Sequence, residues 1–426
     1  AETGNYDEVV RHLITIENED FGWTIKNSDG WNIEPLAHVK LYLSSLGLSP
    51  PDLTRVVGSA ITNCWMITNT PFQSEYPGDR KWNRNGAKLR FTPSQNLDSL
   101  SHPNWDSVLM HLGKGLDEGV QNNEWCKHNG ILCGADYLKC WIASLLQKPK
   151  EPLPYLFFYS HEQNTGKSTF HEALSLLINN GIERADAALI SPSGFNGELE
   201  NAVLCVVEET NLQENRAAYN RIKDWVTARK LPIHRKNMTP YMVDNISHWV
   251  QCANGDTYCP IFSGDTRITM IRVPPISPLD LVPKTEMLMR LEKEAEDFLA
   301  SVLSLEIPTS NDRLAIPIVE TSDKRNLANA NRTELQVFIE DNCFEEKGVF
   351  VEFGDFYTRF IETLDPSDVH KWTKIKTGKE IYRYYASKFP KGRSLRDNKV
   401  IIGNLSFTKA PDTFKPVEEY VLLGEK

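Results

Sequence analysis

The run Tyr155-Leu156-Phe157-Phe158-Tyr159-Ser160-His161-Glu162-Gln163-Asn164-Thr165-Gly166-Lys167-Ser168-Thr169 decides how the rest of the chain is read. Its first five residues are apolar and β-type. A polar loop follows and ends in glycine, and Lys167 opens a helical pattern that runs through Leu177. Strand, loop, Gly-Lys-Ser, helix is the context that a phosphate-binding loop requires. Backbone N–H groups of Gln163, Asn164, Thr165, Gly166, Lys167, Ser168 and Thr169 would converge on phosphate oxygens there. Lys167 would reach the β- and γ-phosphates, and the Ser168 hydroxyl would help to hold Mg²⁺. The general pattern has glycine where this chain has His161. The innermost contacts come from later positions, so the run is read as a variant of the motif.

Three partners stand downstream in the order such a site needs. Ala202-Val203-Leu204-Cys205-Val206-Val207-Glu208-Glu209 reads as a buried strand ending in two carboxylates. One would hold Mg²⁺, with Glu208 the candidate ligand beside Ser168, and the other would polarise an attacking water. His248-Trp249-Val250-Gln251-Cys252-Ala253-Asn254 is a third apolar run, and its terminal amide can orient that water. The plainer alternative makes Asn254 a turn residue before Gly255-Asp256. Arg267, in Gly264-Asp265-Thr266-Arg267-Ile268-Thr269, stands just before another strand. In a ring it can reach a neighbour's γ-phosphate, worth roughly 10³ to 10⁵ in rate; its plainer role is a salt bridge with Asp265. Arg272 is a weaker candidate. Between these runs, His234, Arg235 and Lys236 form the basic tip of an expected hairpin that can grip successive phosphates of one strand.

Around this core the pattern of short strands alternating with helices, from Leu153 to about Pro275, indicates a parallel α/β sheet. The expected divisions are an N-terminal accessory region (1–95), a helical region (96–150), the phosphate-loop core (151–278), a helix and linker (279–331) and a winged-helix-like C-terminal domain (332–426). Leu279 to Leu305 reads as one long helix, 306–331 as a polar linker, and 1–60 as a mixture of short helical and polar stretches without evident chemistry. Trp82, among Arg80, Lys81 and Arg84, can stack a base or simply pack as an ordered loop. With 426 residues, two or three domains are the natural expectation. The net charge of -10 argues against a surface that coats nucleic acid as a whole, so any such contact must rest on named residues. The eight cysteines contain no Cys-x-x-Cys pair, which speaks against zinc and for a reducing, cytoplasmic compartment. No apolar run is long enough for a membrane span. The chain lacks a signal-peptide pattern and does not open with Met; the expectation is a segment cut from something longer.

The order of phosphate loop, Glu-Glu strand, basic hairpin, Asn-ended strand and Arg resembles superfamily 3 helicases. From about Phe72 to Pro275 the chain is similar to the helicase portion of phage, plasmid and poxvirus-type primase-helicases. The strings that carry this are Pro71-Phe72-Gln73-Ser74-Glu75-Tyr76-Pro77-Gly78, Gly166-Lys167-Ser168-Thr169 and Gly264-Asp265-Thr266-Arg267-Ile268-Thr269. The resemblance implies an AAA+-like P-loop ATPase forming a homo-hexameric ring, with ATP and Mg²⁺ between subunits and single-stranded DNA in the channel. It also implies a bacterial or phage-infected host cell and a primase or primase-polymerase module as companion. Residues 1–60 show no acidic set suited to polymerase chemistry. By the resemblance Glu208 and Glu209 are the metal and base carboxylates, Asn254 the γ-phosphate sensor, Arg267 the finger and Lys236 the DNA-contacting hairpin residue. Papillomavirus-type relatives carry His after that lysine; here Asn237 follows. Two competing expectations are a nucleotide-dependent assembly or switch ATPase that never unwinds, and a DNA-binding module whose loop has decayed.

Overall fold

A computed structural model describes residues 6–16, 18–208, 210–213, 215–236, 240–277, 281–310, 313–408 and 420–422. The chain divides into two compact units, residues 1–327 and 328–426.

The first unit opens with strands that were not expected, and the helical stretches expected within 1–60 are the helices Leu36–Ser45 and Pro50–Thr62. β1 (Val10–Ile14), β2 (Asp20–Asn27), β3 (Gly30–Glu34), β4 (Trp65–Ile67) and β5 (Lys81–Trp82) form one sheet in the order β3-β2-β1-β4-β5. Alternation is obscured because polar side chains are drawn inside. Arg11, at 8% exposure, lies 4.3 Å from the Trp31 ring centroid, 4.2 Å from Trp65 and 4.5 Å from Trp82. Cation–π attraction offsets the cost of drawing that guanidinium out of water. Trp82 is fully buried in this cluster and donates to Glu75 (3.0 Å). It packs the loop in place and offers no face to a base.

Along the chain follow β6 (Lys88–Leu89), β7 (Tyr155–Tyr159), β8 (Ile178–Asn179), β9 (Ile182–Arg184), β10 (Leu204–Glu208), β11 (Lys230–Ile233), β12 (Tyr241–Asp244), β13 (His248–Ala253) and β14 (Ile268–Arg272). Five of them make the mixed α/β core, a parallel sheet ordered β14-β7-β13-β10-β9. Every residue of β7 and β13 is buried, as strands flanked on both sides and covered on both faces must be. On one face Leu156, Phe158, Val206 and Val250 join the core made with the helices Pro103–Gly113, Gly134–Gln147 and Ala295–Leu303. On the other, Trp249 stacks between Tyr155 and Trp225 of the helix Arg216–Trp225.

Two expectations for 279–331 change. The long helix is two, Lys284–Lys293 and Ala295–Leu303. At the break, the Glu294 carboxylate turns to accept from the backbone N–H groups of Asn104 (2.9 Å) and Trp105 (3.3 Å) at the start of another helix. The expected linker is packed: Ile307, Ile316 and Val319 lie in the main core, and a helix occupies Ser322–Ala330.

The second unit has its own core around Phe338, Phe356, Phe360, Trp372 and Ile381. Its order is helix Glu334–Asn342, β15 (Phe344–Glu352), helices Phe353–Glu362 and Lys374–Tyr384, then β16 (Lys391–Ser394), β17 (Val400–Ser406) and β18 (Tyr420–Leu422). These strands pair antiparallel in the order β15-β17-β16-β18. Among the described residues no helix is long and apolar enough to cross a membrane.

Candidate functional site

The site is built at the carboxyl end of the parallel sheet, where open α/β sheets offer their crevice. Tyr159 ends β7, the loop follows, and the helix Thr169–Leu177 turns back over the sheet. Within the loop Asn164 (φ 57°) and Gly166 (φ 79°) take left-handed conformations on either side of Thr165. Asn and Gly are the residues that tolerate this, and such alternation turns successive N–H groups toward one concavity. His161 does not take a positive φ, so the departure from the glycine of the general pattern brings no backbone strain. Thr165 is buried, and its carbonyl meets His111 Nε2 at 2.9 Å. The Lys167 ammonium folds back over the loop, donating to the Glu162 carbonyl (3.2 Å) and Thr165 Oγ1 (3.1 Å).

Register brings the other strand ends level with this loop. Glu208 pairs with Cys252, Cys252 with Phe158, and Ala253 with Tyr159. Asn254 therefore leaves β13 beside the loop, with Glu208 one strand further out. Gln163 through Thr169, Glu208 and Asn254 together line one cavity of about 900 Å³. Arg184 lines it as well, together with the apolar side chains of Val108, Leu112, Ile276, Leu281 and Met287. Glu209 lies outside the described residues.

Two side chains that sequence reasoning missed hold Glu208. His171, one turn into the loop helix, meets Oε1 at 3.0 Å, and Arg184 Nη1 at the end of β9 meets Oε2 at 3.3 Å. Burial pushes the His171 pKa down, against the opposing pull of Glu208 and Glu172; a neutral imidazole at neutral pH donates its Nε2–H to the carboxylate. The backbone N–H of Glu208 donates to Asp186 Oδ1 (3.2 Å). Burial also raises the Cys252 thiol well above its usual range, so it stays protonated, donating to the Lys167 carbonyl at 3.5 Å.

Arg267 is not brought into this cavity. Its carbonyl accepts from Tyr155 N–H (2.9 Å) at the opposite end of β7, about 16 Å of strand away from the loop. Its Nε donates to the Lys223 carbonyl (2.9 Å). Asp265 does not form the expected side-chain salt bridge with it. The Asp265 carboxylate instead accepts from the backbone N–H groups of Arg267 (3.3 Å) and Ile268 (2.9 Å) and pairs with the buried Lys324 (3.2 Å). Arg272, paired in register with Tyr159, is exposed at the loop end of the sheet.

The basic hairpin exists as β11 and β12, with Ile233 paired to Tyr241. Its tip is less free than the sequence implies. His234 packs on Phe195 (4.7 Å between rings); its N–H donates to Asn196 Oδ1 (2.7 Å) and its carbonyl accepts from the Asn196 N–H (3.2 Å). Arg235 is ion-paired with the buried Glu200. Lys236 is exposed, while Asn237 lies outside the described residues.

A strand-borne loop, a carboxylate and an amide line one cavity at the end of a five-stranded parallel sheet in a mixed α/β protein. Comparison with known proteins points the same way. Residues 158–268, from β7 to the first residue of β14, match a family of unknown function (DUF5906). Over 188 residues the chain is 23% identical to a DNA primase-polymerase of Nitratiruptor phage NrS-1, a match covering 43% of this chain and 26% of that protein. Two apo structures of the NrS-1 C-terminal region superpose with TM-scores of 0.54 and 0.53 at 14% identity, over 94% of this chain and 97% of theirs. At that identity the likeness is one of fold.

Proposed function

We propose that this chain is a P-loop ATPase of AAA+-like build that hydrolyses ATP at the interfaces of a homo-hexameric ring and unwinds or translocates along DNA during replication, gripping single-stranded DNA with its basic hairpin. The observation that carries the reading is that Lys167, Ser168, Glu208 and Asn254, from three separate strand ends, line a single cavity. The donors fit Mg²⁺ and a triphosphate: a hydroxyl and a carboxylate as hard oxygen ligands, an ammonium, and a loop whose amides converge. Bound Mg²⁺ would draw charge from the phosphate oxygens. Lys167 would exchange its two loop acceptors for phosphate. Asn254 would orient the attacking water, and Glu208 and Glu209 would share the metal and base roles. The apolar side chains in the cavity lining suit the face of a nucleobase. Arg267, remote from its own loop, would serve the site of a neighbouring copy rather than its own.

The phage relative's description as a DNA primase-polymerase supports a place in replication, and a primase or primase-polymerase module is the proposed companion. In the second unit the order helix, strand, helix, helix, hairpin supports the winged-helix-like reading. The test is Lys167→Ala: Mg²⁺-dependent ATP hydrolysis and strand separation should fall together to background. Normal unwinding by that variant would overturn the reading. Because His234 and Arg235 are engaged internally, an assembly or switch ATPase without unwinding activity stands as the second reading; it expects no stimulation of hydrolysis by DNA at any salt.

A further inference from the structure

The chain as a whole is acidic, yet one segment reverses the sign. From Lys371 to Lys399 stand ten Lys or Arg and two acids, Glu380 and Asp397, within a protein of net charge -10. The segment comprises the helix Lys374–Tyr384 and the turn joining β16 to β17. In the helix, Thr377 and Ile381 are buried in the core of the second unit. Lys376, Lys379 and Arg383, at spacings of three and four, lie on the opposite stripe and are exposed. Ile375, at the first turn, is 73% exposed. An apolar side chain left in water beside three cations is not explained by packing of this unit.

Local partners leave most of this charge standing. Lys371 is paired with Asp368, and Lys399 with Glu352 and Asp397. By contrast Lys376 lies 4.3 Å from the Trp372 ring centroid and Lys391 5.4 Å from that of Tyr382. A ring face steadies a cation without neutralising it. The Lys391 contact also ties the base of the β16–β17 hairpin to the helix, so Arg393 and Lys391 continue the basic surface.

We infer that this helix and hairpin form a second nucleic-acid surface, separate from the hairpin at Lys236, and that its partner is duplex DNA. A helix about 10–12 Å across with its side chains enters a major groove about 12 Å wide. A helix docked with its first turn toward the bases would bring Ile375 to a base edge, where a thymine methyl is an apolar partner. The stripe and the hairpin would meet phosphates, which attract cations without regard to sequence. The surface makes no use of the nucleotide cavity, so the inference stands apart from the ATPase reading.

The test uses the full chain and a fluorescent duplex of about 20 base pairs, with affinity measured by anisotropy across a salt series. Replacing Lys376, Lys379 and Arg383 together by Ala should weaken duplex binding at least tenfold. It should also reduce the slope of log affinity against log salt by about 2 to 3, near 0.9 for each phosphate no longer neutralised. Hydrolysis of ATP without DNA should be unchanged. Lys391→Ala with Arg393→Ala, on the other element, should move the same slope by about 2 and carries the test if the helix variant melts early. Unchanged affinity and slope in both variants would overturn the inference, as would a loss of single-stranded DNA or RNA affinity in both variants as large as the loss of duplex affinity.

Discussion

Lys324 is 2% exposed and would bury a full charge at considerable cost were it not met on three sides. Its ammonium reaches Asp265 Oδ2 (3.2 Å), the Asp265 carbonyl (3.1 Å) and Glu320 Oε1 (2.9 Å). Asp265 in turn holds the backbone of Arg267, so one buried pair fixes the turn that aims the candidate finger. Lys324→Met should cost about 3–5 kcal/mol in denaturant unfolding of the first unit, because it strands a buried carboxylate. Adding Asp265→Leu should recover only part of that, since two backbone amides then go without their acceptor. A single-variant loss below about 1 kcal/mol would contradict this account of the pair. At this scale the sequence disclosed groups that end apolar strands, Glu208 and Asn254, because an apolar run stopping at a polar residue is a visible boundary. It concealed His171 and Arg184, since each follows ordinary helix or strand residues and only parallel pairing brings them to Glu208. The loop helix offered one signal: His171 stands one turn past Ser168, on the side facing the sheet.

The basic hairpin shows how an element constrains its residues. The packing of His234 on Phe195 and the Arg235–Glu200 pair engage two of the tip's three basic side chains, and Lys236 is the exposed one. Lys236→Ala should therefore remove most DNA stimulation of ATP hydrolysis while leaving the rate without DNA within about twofold, and should leave the duplex affinity set by the second unit intact. Stimulation equal to that of the unaltered chain would favour the assembly or switch reading. Strand, loop, helix and hairpin were legible here because each combines a period with turn chemistry. The N-terminal sheet was not legible, because Arg11 and His12 are buried in β1 and break the alternation that marks a half-buried strand. The packing of 306–321 was equally hidden. Ile307 stands alone among polar residues, and the apolar run Leu314-Ala315-Ile316-Pro317-Ile318-Val319 is short and interrupted by proline, so it shows neither a helical period nor a strand, yet Ile307, Ile316 and Val319 all reach the main core.

For the whole molecule the decisive feature is separation. The loop, Glu208 and Asn254 gather at one end of the sheet and Arg267 sits at the other, so a site that uses Arg267 takes it from a second copy. A head-to-tail ring supplies that geometry at every interface. The most direct measurement mixes two inactive chains, Lys167→Ala and Arg267→Ala, and follows Mg²⁺-dependent ATP hydrolysis after they assemble together. Each alone should be near background. In an equal mixture about one interface in four joins an intact loop to an intact Arg267 across a head-to-tail contact, so hydrolysis should return to roughly a quarter of the unaltered rate. A mixture as inactive as its two components, from chains that still assemble, would contradict the shared site.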